Sequence, residues 1–98
     1  MKITHEGKRY NSEKCRDIAN IDLYSYSNNY AGETTLMIAS DGIFILHTYS
    51  NGQDCHIDDD ICVLSLDEAR AWLQENNADM DDDEEKIAIE CGLIEVIE

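Results

Sequence analysis

The sequence predicts an α+β fold: an antiparallel sheet of about four to five strands, with two to three helices packed mainly on one face. Two observations lead to it. Residues 34–39 and 43–49 are strand-like and flank Ser40-Asp41-Gly42, a strong hairpin turn. Further along, Ser65-Leu66-Asp67-Glu68 has the capping-box pattern that opens a helix. The length of 98 residues holds one compact acidic domain, residues 1–98, and leaves no room for a second core.

The elements follow in order. Residues 2–4 and 8–10 flank Glu6-Gly7 and read as a short hairpin. Asn11 or Ser12 is expected to cap a brief helix, with Cys15, Ile18 and Ala19 at helical spacing on one apolar face. Ile21 and Leu23 alternate with Asp22 and Tyr24, which predicts a strand. Ser27-Asn28-Asn29 and Ala31-Gly32 read as a turn-rich loop, and Asn51-Gly52 as a further turn. Residues 61–64 read as a buried strand. Ala69, Trp72 and Leu73 recur at helical spacing, so residues 66–76 are predicted to be a helix packed on the sheet, with Trp72 in the core and Asn76-Asn77 at its end. A second helix is expected over about 81–90, closed by Gly92. Residues 93–97 fit a strand or a helical tail equally well.

Charge bounds the function. Twenty-two Asp and Glu stand against seven Lys and Arg, a net charge of −15. Residues 1–16 hold five basic and two acidic side chains, whereas residues 17–98 hold two basic and twenty acidic. Self-repulsion on this scale opposes compaction, so the charge points to a use outside the fold. It argues against direct binding to nucleic acid or an anionic membrane, both of which call for Lys and Arg. Hydrophobic residues make up 43% of the chain, which argues against intrinsic disorder. No apolar run approaches the roughly 20 residues of a membrane span, and Met1-Lys2-Ile3-Thr4-His5 shows no signal region. The expected location is the cytoplasm of a bacterial host cell. There Cys15, Cys55, Cys62 and Cys91 are expected as reduced thiols.

The partner-binding candidates are acidic and aromatic. Asp79, Asp81, Asp82, Asp83, Glu84 and Glu85 give six acids in seven residues, and Asp58, Asp59 and Asp60 form a second run. Part of the first run suits a helix N-terminus, where the macrodipole favours negative charge. Carboxylates three or four residues apart on a helix lie about 5–6 Å from each other, and duplex DNA carries one charge per about 1.7 Å of axis. A surface of this kind resembles a nucleic-acid backbone, and its target is a basic protein groove. Tyr24, Tyr26 and Tyr30 are candidate aromatic anchors, since tyrosine is enriched at interface hot spots. Asp79, Asp81, Asp83 and Glu90 occupy calcium-loop positions, but Glu84 stands where that loop requires glycine, so no metal site is assigned. His5, His47 and His56 are too scattered for a catalytic site, and no nucleophile or phosphate-loop motif occurs. The expectation is a protein without enzymatic activity and without a cofactor, monomeric or homodimeric.

The chain also resembles a family of small acidic proteins of phages and bacterial mobile elements. The resemblance lies in Gly7-Lys8-Arg9-Tyr10-Asn11-Ser12-Glu13 followed by Asp17-Ile18-Ala19, in Glu33-Thr34-Thr35-Leu36, in Asp41-Gly42-Ile43-Phe44-Ile45-Leu46-His47, and in Leu64-Ser65-Leu66-Asp67-Glu68-Ala69-Arg70-Ala71-Trp72-Leu73. Some proteins of this type are anti-CRISPR inhibitors. The resemblance therefore implies a host-defence inhibitor that binds a Cas effector through its acidic surface and blocks target-DNA binding. The alternative is a non-enzymatic partner module, antitoxin-like or regulatory, that binds another basic protein.

Overall fold

The computed structural model describes residues 1–24, 30–50, 59–76, 78 and 80–95, and for Tyr30 the backbone alone. Its elements run β1 (Lys2–His5), β2 (Lys8–Asn11), β3 (Arg16–Tyr24), β4 (Tyr30–Ile38), β5 (Phe44–Ser50), β6 (Asp60–Leu64), α1 (Leu66–Asn76) and α2 (Asp82–Glu90). β1 and β2 form a hairpin of their own, and β3 to β6 form an antiparallel meander in chain order. The α+β fold expected from the sequence is therefore the one observed. The β1–β2 turn has positive φ at both Glu6 (50°) and Gly7 (78°), the geometry whose twist suits a two-residue hairpin.

Side-chain alternation splits the four-stranded sheet into two apolar faces. Ile18, Ala19, Leu36 and Phe44 pack with Ala69 and Leu73 of α1, Ala88 of α2 and Leu93. On the opposite face Met37 and Ile45 pack with Tyr10 of the hairpin, flanked by Ile3, Cys15 and Ile61. The sheet is thus a middle layer, with both α-helices on one side and the hairpin over part of the other. Trp72 is half-buried at the margin of the helix-side core. Tyr10 fastens the hairpin to the β4–β5 turn. Its hydroxyl donates to Asp41 Oδ2 at 2.7 Å, and Lys8 Nζ lies 3.7 Å from the same oxygen.

Three expectations need correction. After Asn11 only a 3₁₀ turn forms, Ser12–Lys14, with Glu13 N–H donating to Asn11 Oδ1 at 3.1 Å. Ile18 and Ala19 belong to β3. Asp17 opposes Met37 and Ala19 opposes Leu36, so Ile18 is the extra residue of a bulge. That extra residue lets two consecutive apolar side chains reach the core, a spacing that imitates a helix. Ala31 and Gly32 are buried within β4 and not in a loop. The remaining loop and turn residues, Ser27, Asn28, Asn29, Asn51 and Gly52, lie outside the described residues. β6 is an edge strand whose residues 61–64 are half-buried, because only β5 pairs with it.

Both helices begin with reciprocal caps. Glu68 N–H donates to Ser65 Oγ (3.1 Å) and Ser65 N–H to Glu68 Oε1 (2.9 Å). Asp81 and Glu84 repeat the arrangement at α2, at 2.8 and 3.0 Å. α2 closes with Leu93 N–H donating to the Ala88 carbonyl (2.9 Å) and Gly92 N–H to that of Ile89 (3.2 Å), which brings Leu93 down onto the core. Arg70 of α1 donates through Nε and Nη2 to the Gly92 carbonyl at 3.1 and 2.6 Å, placing a cation at the negative end of α2. Residues 93–95 form neither strand nor helix. No helix among the described residues is long and apolar enough to cross a membrane.

Candidate functional site

The acids singled out in the sequence fall into three groups. Asp81 and Glu84 have a structural task, because their carboxylates cap α2. Asp82 and Asp83 are exposed on its first turn and Glu85 is half-exposed beside them. Asp59 and Asp60 lie at the start of β6, where Asp59 Oδ1 accepts the Ser50 N–H at 2.6 Å and Asp60 is the register partner of Thr48. Among the described residues, Asp60, Asp82, Asp83 and Glu85 make no side-chain hydrogen bond and no ion pair. Asp58, Asp79 and Tyr26 lie outside the described residues, as does the side chain of Tyr30.

The helical start at Asp82 also decides how residues 81–90 are used. They form a capped helix and not the 12-residue loop that calcium requires. Among the described residues no group of three His, Cys, Asp or Glu is placed to hold a metal ion. Cys15, Cys62 and Cys91 are free thiols, and partial burial pushes those of Cys15 and Cys62 up, away from the reactive thiolate.

Tyr24 lies apart from the α2 acids. Along β3 the residues Ala19, Ile21 and Leu23 share the helix-side parity, so Tyr24 belongs with Asn20 and Asp22 on the hairpin side. The structure therefore places Tyr24 and the acids of α2 on opposite faces of the sheet.

Around Tyr24 the hairpin-side face carries polar residues that sequence reasoning did not single out for binding. The register aligns Asn20, Thr35 and His47 in one row, and Asp22, Glu33 and Tyr49 in the next. Asn20 Nδ2 donates to Thr35 Oγ1 at 3.0 Å. Tyr24 is 56% exposed and Tyr49 50% exposed. Asp22 and Glu33 stand directly opposite each other across β3 and β4, and neither has a cation partner among the described residues. Like charges in that position oppose the pairing of the strands. The Glu33 field reaches Asp17 on the same face. Partial desolvation first, and the Glu33 charge second, raise its carboxyl above the usual carboxylate range. The one signal in the sequence for this row was the alternation around Asp22. The row itself depends on the register of three strands, which the sequence does not spell out.

No protein-family model matches this chain, and no curated protein or solved structure matches it.

Proposed function

We propose that this chain is a non-catalytic inhibitor that binds the basic, nucleic-acid-holding surface of another protein. On the family resemblance, it is an anti-CRISPR protein that engages a Cas effector and blocks target-DNA binding. The observation that carries this reading is charge without internal use. The chain has a net charge of −15, and Asp60, Asp82, Asp83 and Glu85 have no partner among the described residues. Such acids add repulsion to the fold and attraction to a Lys/Arg groove. Effectors of this kind hold a duplex in a positively charged channel and read a short flanking motif with arginines. Association driven by these charges is fast and falls with salt.

The test is a panel of purified, guide-loaded effectors, with DNA binding and cleavage scored separately at low and moderate salt. The expected result is loss of DNA binding with one effector, relieved by salt. The triple variant D82K/D83K/E85K leaves the Asp81–Glu84 cap intact, and it should abolish inhibition while the far-ultraviolet spectrum is unchanged. Loss of cleavage with DNA binding intact would move the site off the DNA channel. No effect on any effector would leave the antitoxin-like or regulatory partner module as the reading, to be pursued by affinity capture.

A further inference from the structure

The half of the hairpin-side face left uncovered by β1 and β2 is costly as a fold surface. Asp22 opposes Glu33 with no cation beside them, and two tyrosines stand half-exposed or more. The hydroxyls of Tyr24 and Tyr49 make no hydrogen bond among the described residues. Neighbouring strands are about 4.8 Å apart, so the row Asp22–Glu33–Tyr49 spans about 10 Å. Tyr24 lies two residues along β3 from Asp22, about 7 Å. Two carboxylates and two aromatic rings are thus gathered within the reach of one or two long side chains.

We infer that this open half of the sheet docks an arginine-bearing segment of a protein partner, with Asp22 and Glu33 accepting guanidinium N–H groups and Tyr24 and Tyr49 stacking on guanidinium planes. The inference rests on the preceding reading that the partner is a basic protein, and it adds a second contact surface distinct from α2. Arginine fits better than lysine because its planar fork matches paired carboxylates and stacks on aromatic faces, whereas an ammonium is a compact and strongly hydrated point charge. A second copy of the chain would bring the same negative row against itself, and nucleic acid would bring phosphates. Charge complementarity therefore selects the basic protein segment.

The test uses the full chain and two labelled probes of equal length, an oligoarginine and an oligolysine. D22N/E33Q and Y24S/Y49S are compared with D82N/D83N on α2, which removes as much charge as the first sheet variant. The oligoarginine should bind at least about fivefold more tightly than the oligolysine. Each sheet variant should weaken oligoarginine binding about tenfold, and the α2 variant less than about twofold. D22N/E33Q should also melt higher than the parent, because it relieves the cross-strand repulsion. A residue pair kept only for structure would melt lower. Equal binding of the two probes, or equal loss in sheet and α2 variants, would mean bulk charge and overturn the inference. A dimer in sedimentation that Y24S/Y49S dissolves would overturn it too, since a second copy would then own the face. The two proposals fail separately. An effector panel without response, beside intact arginine selectivity, removes the Cas target alone. Inhibition that survives both sheet variants removes the docking face alone.

Discussion

Gly32 shows how much of this fold can depend on one position. Its φ is 154°, and a Cβ built there would overlap the Tyr49 carbonyl oxygen and come within 3.0 Å of Ser50 Cα. The obstacle is backbone on the neighbouring strand, so no rotamer change relieves it. The site also sits where the β3–β4 register shifts, with Leu23 opposite Gly32 and Tyr24 opposite Tyr30. Gly32→Ala is therefore expected to cost about 3 kcal/mol from strain and overpacking together. In a domain of this size that lowers the melting temperature by more than about 10 °C. A thermal melt followed by circular dichroism reads this directly, and an unchanged melting temperature would contradict the close approach of β4 and β5. The same close approach brings Glu33 and Tyr49 side by side, so the residue that permits the packing also shapes the candidate docking row.

Elements differ in how far local chemistry specifies them. α1 and α2 were legible almost to the residue, because Ser65 with Glu68 and Asp81 with Glu84 carry their start signals within four positions. The first hairpin and the β4–β5 turn were legible for the same reason. β3 was legible only in its second half, where Ile21 and Leu23 alternate with Asp22 and Tyr24; its first half was not, because the bulge at Ile18 depends on which residues of β4 lie opposite, and that pairing is set by the whole sheet. The acids of α2 were visible as a contiguous run, whereas Asp22, Glu33 and Tyr49 become neighbours only once three strands are in register. The hairpin's attachment was equally hidden, since Tyr10 and Asp41 are far apart in the chain. That contact makes a pH prediction. The hydrogen bond to Asp41, aided by desolvation and the carboxylate's charge, pushes the Tyr10 hydroxyl up to about 12. The same bond, with smaller help from the Ile43 N–H and Lys8, holds Asp41 below the usual carboxylate range. Tyr10 thus contributes stability that is complete below about pH 10, the unfolded value, and is lost as pH rises towards 12. Asp41 contributes stability that is present above about pH 3.9, its unfolded value, and is lost as pH falls through its lower folded value. The melting-temperature gap between the parent and Tyr10→Phe should be level from about pH 5 to 9 and should close at both extremes. A gap that stays open at pH 12 would mean the hydroxyl bond does not hold the hairpin.

At the scale of the whole molecule, the few cations offset little of the acidic charge. Five of the seven lie in residues 1–16. Of the other two, Arg70 donates to the Gly92 carbonyl and only approaches Asp67, at 3.9 Å, while Lys86 stands within α2 among its acids and forms no ion pair among the described residues. Under the proposed function the excess of negative charge acts on itself within the fold and on a partner outside it, and salt must then affect those two roles oppositely. Raising ionic strength shortens the screening length from about 10 Å at 0.1 M to about 3 Å at 1 M. The fold loses repulsion, so its melting temperature should climb across that range. Binding to a basic surface loses attraction, so its affinity should fall over the same range. Sodium chloride titrations of both quantities, on one preparation, test the charge reading without knowledge of the partner. Opposite slopes would show one set of acids destabilising the chain and recruiting its partner. A level melting temperature beside salt-sensitive binding would instead mean that the fold keeps its acids too far apart to repel, and that the cost assigned to Asp22 and Glu33 is local to their strands.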